Sequence, residues 1–123
     1  MTVAVFYKML FGEFEREGFE AHLGELLSFR EAEEQILERR TAAYMVHKYL
    51  LNVLKEEDVS DISPAFGLRD IYECRVCVYH IAQVYMKGIM TARDSVFGVK
   101  EAVEEEEAEE IINRVKRRNH NRK

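Results

Sequence analysis

The sequence has 123 residues, of which 47% are hydrophobic, and a formal net charge of −5. This length suits one hydrophobic core rather than two, and the negative charge argues against a general attraction to nucleic acid. The low content of Pro and Gly, together with many Glu, Leu, Ala, Lys and Arg residues, favours an all-α fold over a many-turned β fold.

The N-terminal segment MTVAVFYKMLFGEFEREG lacks the basic start and the small-residue cleavage site of a signal peptide. No uninterrupted apolar run approaches the roughly 20 residues that cross a bilayer. The cysteines, Cys74 and Cys77, are too few and too close together for the disulfide framework of a small secreted domain. We therefore predict a cytoplasmic protein with no membrane partner and no cofactor.

The first predicted element is a helix over residues 3–16. Val3, Phe6 and Leu10 recur at helical spacing, although the β-branched start also allows a short strand. The next helix is predicted from Ser28, which forms a capping box with Glu31, to about residue 56. Its buried seam follows steps of three and four: Phe29, Ala32, Ile36, Ala43, Val46, Leu50 and Val53.

Two further helices are predicted after the polar connection EEDVSDIS and the Ser63–Pro64 helix-start signal. They cover residues 68–92 and residues 99–118. The last one runs from acidic to basic, as the helix dipole favours, and its narrow apolar face comprises Ala108, Ile111, Ile112 and Val115. The sequence thus predicts a single-domain bundle of four to five helices over residues 1–118, with two long helices packed antiparallel, and a disordered basic tail at 119–123.

The stretch YECRVCVYHIA contains both cysteines and a histidine, which raises the possibility of a metal site. On a helical wheel with about 100° per residue, Cys74 lies in the middle of the main apolar face and Cys77 at its edge. His80 lies about 120° away from Cys74, on a thin polar strip with Gln83 and Lys87. The pattern favours cysteines packed as small buried residues, and metal binding through Cys74 and Cys77 is the alternative.

The opposite face of the same predicted helix is also apolar. A helix that is apolar nearly all round is covered on both sides, either by other helices or by a second subunit. Tyr and Met are favoured at protein interfaces. The sequence therefore indicates a candidate interface at Tyr72, Val76, Tyr79, Met86 and Met90.

Two histidines follow an arginine at suggestive spacing. The segments RTAAYMVHKY and RVCVYH place Arg40 before His47 and Arg75 before His80. Each segment resembles the R-x4–6-H motif of HEPN domains, although Thr41 and Val76 stand where that family commonly has a polar Asn, Asp or His. The resemblance implies a helical, metal-independent ribonuclease whose Arg and His side chains act on the scissile phosphate, usually across a dimer interface.

The sequence contains no phosphate-binding glycine loop, no nucleophile elbow and no calcium-binding loop. It therefore favours a non-enzymatic protein-interaction or regulatory module that binds itself as a homodimer or binds another protein. Nucleic acid is expected as a partner only through the basic C-terminal tail. The alternatives are a HEPN-like ribonuclease using Arg40, His47, Arg75 and His80, and a metal-binding protein using Cys74 and Cys77.

Overall fold

The computed structural model describes residues 1–12, Glu17 and residues 34–121, and within these ranges the chain is mostly helical. Isolated β-bridges occur there, but no strand does. The all-α prediction is therefore confirmed for the described part of the chain. Its four α-helices are α1 (Val3–Phe11), α2 (Arg39–Asn52), α3 (Val78–Met86) and α4 (Glu105–Asn121), and three 3-10 turns lie between α2 and α3 at Ser63–Gly67, Ile71–Glu73 and Arg75–Cys77.

The N-terminal segment is a helix rather than a strand. Thr2 caps α1, because its Oγ1 accepts a hydrogen bond from the amide of Val5 at 3.3 Å. The helix ends at Gly12, whose φ of +91° is readily adopted only by glycine and whose N–H bonds to the carbonyl of Lys8. The predicted continuation over residues 13–16 lies outside the described residues.

The second helix begins at Arg39 because the preceding residues are extended and use their backbone groups elsewhere. The N–H of Leu37 donates to the carbonyl of Met1 at 3.0 Å, and the carbonyl of Leu37 accepts from Val103 at 2.8 Å. These bonds compete with a helical ladder through residues 36–38. The prediction of a helix that continues through these residues was wrong. Ser28, Glu31, Phe29 and Ala32 lie outside the described residues.

The predicted seam of this helix is correct only in its middle. Ala43, Val46 and Leu50 are fully buried, as expected. Ile36, in contrast, is 67% exposed, because it stands in the extended segment and not on the helix, and Val53 is 48% exposed just past the helix end.

The predicted helix over residues 68–92 is interrupted. Cys74 has an extended backbone (φ −132°, ψ 100°), so the residues before α3 form separate 3-10 turns. Gly88, with φ +73°, turns the chain away just after α3 ends. The helices α2 and α3 pack against each other, and their antiparallel direction stays a prediction.

The last helix starts at Glu105 and not at residue 99. The carbonyls of Val99 and Glu101 accept hydrogen bonds from Arg40 and Arg39 instead of joining a helix. The predicted apolar face is confirmed, since all four of its members are at most 4% exposed: Ala108, Ile111, Ile112 and Val115. The helix continues to Asn121, and residues 122–123 lie outside the described part.

One hydrophobic core joins these elements. Its largest fully buried side chains come from all four helices and from the segments between them, and they are Phe6, Leu37, Met45, Leu50, Ile71, Ile81, Ile89, Met90, Phe97 and Ile111. None of the helices within the described ranges combines the length and apolarity that crossing a bilayer would require.

Candidate functional site

The helices α2 and α3 bring two histidines into direct contact. His47 on α2 is 1% exposed, and its Nδ1 lies 2.7 Å from Nδ1 of His80 on α3. On its other side, Nε2 of His47 lies 2.7 Å from Oδ1 of Asp58, in the loop that follows α2. The hydroxyl of Tyr79 donates to Oδ2 of the same carboxylate at 2.7 Å. A continuous chain of hydrogen bonds therefore runs from Tyr79 through Asp58 and His47 to His80.

The partners in this chain determine where its protons lie. An ionised carboxylate only accepts hydrogen bonds, so Asp58 requires a proton on Nε2 of His47. When His47 is neutral, its Nδ1 accepts, and His80 must donate through its own Nδ1. The Nε2 atom of His80 then carries an unshared electron pair. When His47 takes up a second proton, the direction of the histidine–histidine bond reverses and His80 accepts.

The surroundings keep Asp58 charged and His80 neutral. Burial disfavours the charge of Asp58, but the hydrogen bonds from His47 and Tyr79 outweigh it and hold the pKa of the carboxyl below its usual value. Burial, with a smaller effect from the charges of His47 and Lys48, lowers the pKa of the His80 imidazole to about 4. Neutral His80 is therefore the dominant form near pH 7.

Aromatic rings enclose the two imidazoles. The ring of Tyr44 meets His80 edge-on at 4.5 Å between centroids, and the ring of Tyr79 meets His47 edge-on at 5.6 Å. The ammonium of Lys48 lies over the ring of Tyr44, with its Nζ 5.5 Å from the ring centroid. The site thus combines a neutral imidazole with a nearby cation.

The loop that carries Asp58 is held by the polar strip of α3. The side-chain amide of Gln83 donates to the carbonyl of Val59 at 2.9 Å, and its oxygen accepts from the amide of Val59 at 2.8 Å. Lys87 donates to Glu56 at 3.0 Å and to the carbonyl of Glu57 at 2.8 Å. These bonds fix the position of the carboxylate that orients His47.

Glu56 also connects this loop to the C-terminal helix. Arg118 of α4 binds both carboxylate oxygens of Glu56. Lys87 contacts one of these oxygens, Oε1. The Lys87 side chain is only 3% exposed, so it depends on Glu56 for its charge partner. Together the two basic side chains hold the pKa of Glu56 below its usual value, against the opposing effect of burial.

A disulfide lies just before α3. Cys74 and Cys77 are bonded to each other, with their Cα atoms 5.2 Å apart. Cys77 is fully buried, whereas Cys74 is 8% exposed. The cysteines are buried, as the sequence predicted, but the bond between them was not foreseen. Their sulfur atoms are not thiolates in this state, and the described residues contain no cluster of three or more His, Cys, Asp or Glu side chains arranged for a metal ion.

The residues between and around the cysteines are exposed. Tyr72, Val76 and Tyr79 are 63%, 69% and 45% exposed, and Phe66, 43% exposed, stacks on Tyr72 with 6.2 Å between ring centroids. We refer to Phe66, Tyr72, Val76 and Tyr79 as the aromatic surface.

The two methionines of the predicted interface behave differently from the other members. Met86 is half-buried. The inclusion of Met90 was wrong, because its side chain is 1% exposed and belongs to the core. The chain leaves the helix at Met86, so the helical wheel no longer applies at Met90.

The four Arg and His residues singled out by sequence do not form one cluster. His47 and His80 meet, but the guanidinium of Arg40 binds the carboxylate of Glu38 at 2.7 Å, near the start of α2. Arg75 is exposed, on the 3-10 turn between the cysteines. Neither arginine is among the hydrogen-bond partners that the structure gives to the imidazoles.

A second buried polar cluster is structural. The carboxylate of Asp70 accepts hydrogen bonds from three consecutive amides, at 2.8 Å from Phe97, 2.8 Å from Gly98 and 3.0 Å from Val99. Arg39 donates to the carbonyl of Phe97 at 2.8 Å and lies over its ring, with 4.7 Å between the guanidinium carbon and the ring centroid. This cluster fastens the segment before α4 to the start of α2.

Sequence reasoning missed Asp58, the residue that orients His47. It stands in EEDVSDIS, which looked like an ordinary polar connection. The useful signal was a histidine close to the apolar seam, because a buried imidazole requires hydrogen-bond partners.

Comparisons with models of protein families, with curated proteins and with solved structures found no match for this chain.

Proposed function

We propose that the protein is a small, non-enzymatic interaction module that acts in the cytoplasm and docks through its aromatic surface. The observation that carries this proposal is the exposure of Tyr72, Val76 and Tyr79, which are 63%, 69% and 45% accessible in one short segment. Contiguous exposed apolar side chains are typical of interaction sites, and tyrosine is enriched in them.

The aromatic surface is supported by a rigid base. The hydroxyl of Tyr79 is bonded to Asp58, Tyr72 is stacked on Phe66, and the Cys74–Cys77 bridge closes the intervening turn. Side chains that are already ordered lose less conformational entropy on binding. This arrangement favours specific docking over nonspecific adhesion.

The occupant that we propose for this surface is a second copy of the chain. In a two-fold interface the same patch meets itself, so it must be complementary to itself. The aromatic surface is accompanied by an exposed acid, Glu73, and an exposed base, Arg75. Across a two-fold axis, Glu73 of each copy can pair with Arg75 of the other, while the apolar side chains are buried between them.

The molar mass of the wild-type protein, measured by light scattering over a dilution series, tests this proposal. We expect the mass of a dimer at high concentration and of a monomer after dilution. A monomer at every concentration would contradict pairing. A dimer whose mass does not respond to substitution of Val76 would place the contact on another surface.

A second candidate function, a ribonuclease, is favoured by one observation. The Asp58–His47–His80 chain leaves an electron pair on Nε2 of His80 when His47 is neutral, and this is the arrangement that a general base needs. Lys48, whose charge acts on His80, supplies a cation for a phosphate. This candidate differs from the HEPN-like prediction because it uses neither arginine of that motif: Arg40 binds Glu38, and Arg75 is exposed.

Incubation with RNA separates the two versions of this candidate. If the histidine chain acts alone, His80→Asn abolishes cleavage and Arg40→Ala preserves it. If the HEPN-like arginine is needed, both variants are inactive. Absence of cleavage by the wild-type protein would remove the ribonuclease and leave the interaction module.

A further inference from the structure

We infer that Cys74 and Cys77 form a reversible thiol–disulfide exchange site, in which Cys74 is the sulfur that exchanges with thiols of other molecules. The bridge itself is buried, but exposed members of the aromatic surface flank it in the sequence, at Tyr72, Val76 and Tyr79. The inference does not depend on pairing of two copies. It takes its cellular setting, however, from the cytoplasmic location proposed above.

The two sulfurs differ in access. Cys74 keeps 8% exposure, and its neighbours Tyr72, Glu73, Arg75 and Val76 are all exposed, so its side of the bridge is the nearer one to solvent. Cys77 is fully buried. Because exchange requires direct attack on a sulfur atom, access selects Cys74.

The environment of Cys77 suits a leaving group. Cys77 is the N-cap residue of α3, and the positive end of a helix dipole stabilises a thiolate at this position. Arg75 stands between the two cysteines in the sequence and is exposed. The position of Cys77 at the helix start suits a departing thiolate, and the difference in exposure favours attack at Cys74.

The reaction balances with a thiol as the only co-reactant. A thiolate forms a bond to Sγ of Cys74 while the Cys74–Cys77 bond breaks, and Cys77 leaves with the electron pair and takes a proton from water. A second thiolate attacks the external sulfur of this mixed disulfide, and Cys74 leaves as a thiolate that takes a proton from water. The net result is a protein dithiol, reduced by two electrons, and one oxidised disulfide of the external thiol.

The compartment agrees with such a role. Glutathione and thioredoxin keep cytoplasmic thiols reduced, so disulfides in that compartment are mostly transient, catalytic or redox-sensing. The substrate class is therefore a small soluble thiol or disulfide of the glutathione type.

Single-cysteine variants test the assignment. Cys77→Ser and Cys74→Ser are incubated with oxidised glutathione at a concentration where light scattering gives a monomer, and intact mass measures adduct formation. We expect Cys77→Ser to form the glutathione adduct at least about tenfold faster than Cys74→Ser, because Cys74 keeps some exposure and Cys77 keeps none. In denaturant, both variants should react at the same rate.

The wild-type protein provides a second readout that needs no variant. The folded protein is treated with a thiol-alkylating reagent, and intact mass counts the alkyl groups. We expect none before dithiothreitol is added and two afterwards, with the first on Cys74. Equal adduct rates for the two folded variants would overturn the inference. So would a bridge that opens only in denaturant, or cysteines that stay unbridged in oxidised glutathione. If the protein did not form a dimer, the adduct rates and the alkylation counts would be unaffected. The thiol-exchange proposal and the dimer proposal can therefore fail separately.

Discussion

The Nδ1 atoms of His47 and His80 lie 2.7 Å apart, so one proton is shared between two helices. This bond continues through Asp58 to Tyr79, which belongs to the aromatic surface. The exposed surface and the buried histidines are therefore one connected structure, and substitutions in the interior should affect both stability and docking.

Stability should decrease at mildly acidic pH because of His80. The pKa of its imidazole is about 4 in the folded protein, against an ordinary value of 6.5. Between these values the unfolded chain binds a proton that the folded protein does not, so lowering the pH favours unfolding. We expect the free energy of unfolding to fall by about 1–2 kcal/mol over this interval, less than the full shift because the ring is partly solvated.

Urea denaturation between pH 6.5 and pH 4 measures this effect, with His80→Asn as the control. The asparagine amide keeps a hydrogen-bonding group near His47 and has no titration in this range. Carboxylates such as Asp58, with a lowered pKa, lose their contribution at still lower pH and do so in both proteins. An identical pH dependence for the two proteins would show that His80 is not held neutral by the fold.

Asp58→Asn should destabilise the protein although it changes few atoms. The carboxylate accepts bonds from His47 and Tyr79, and His47 is 1% exposed. The amide has no charge and keeps only one acceptor oxygen, so the buried His47 loses a charged partner and the two donors can no longer both be satisfied, at a cost of about 1–3 kcal/mol. Chemical denaturation measures the loss, and Glu57→Gln, on the exposed neighbouring residue, should have little effect. Equal effects of the two substitutions would argue against the hydrogen-bonded chain.

Lys87→Met should reveal how strongly the loop after α2 is held. The side chain is 3% exposed and bonds to Glu56, which is 11% exposed. Removing one partner of a buried ion pair typically costs about 3 kcal/mol, and Arg118 should reduce this cost because it still contacts Glu56. The matched control is Lys116→Met, on the exposed side of α4. The midpoint of urea unfolding distinguishes them, and unchanged stability of Lys87→Met would contradict a buried ion pair.

Asp70→Asn should loosen the segment that precedes α4. Three amide donors converge on this carboxylate, and their hydrogen bonds, despite the opposing effect of burial, keep its pKa below the usual value. Replacement by a neutral amide should cost about 1–3 kcal/mol. The backbone amides of Phe97 and Gly98 should also exchange hydrogen faster in Asp70→Asn than in the wild-type protein. Asp94→Asn, at an exposed turn, is the control that should leave both quantities unchanged.

The sequence predicted elements whose signals are local. The helix at α1 follows from the spacing of Val3, Phe6 and Leu10, and the apolar face of α4 follows from Ile111 and Val115. In both helices the residues that recur at helical spacing in the sequence are the ones that are buried in the structure. The predicted helix boundaries were wrong where backbone groups distant in the sequence bond to the segment. Leu37 is held extended by hydrogen bonds with Met1 and Val103, and no local sequence pattern indicates these bonds.

The site was predicted only in part, for a related reason. Helical wheels placed His80 on a polar strip with Gln83 and Lys87, and that strip does face polar partners in the structure. The helical wheels could not show that the polar partners of this strip come from the loop after α2, because a loop has no periodic pattern. The helical wheel likewise gave no sign of the extended backbone at Cys74 or of its bond to Cys77.

The molar masses of Val76→Glu and Val5→Glu, compared with that of the wild-type protein, test the central proposal most directly. Val76 is 69% exposed on the aromatic surface and Val5 is 47% exposed on α1, so neither substitution disturbs the core. We expect Val76→Glu to weaken the dimer by about tenfold or more, since a charge is buried at the contact, while Val5→Glu pairs like the wild type. Equal molar masses for both variants at every concentration would contradict docking through this surface.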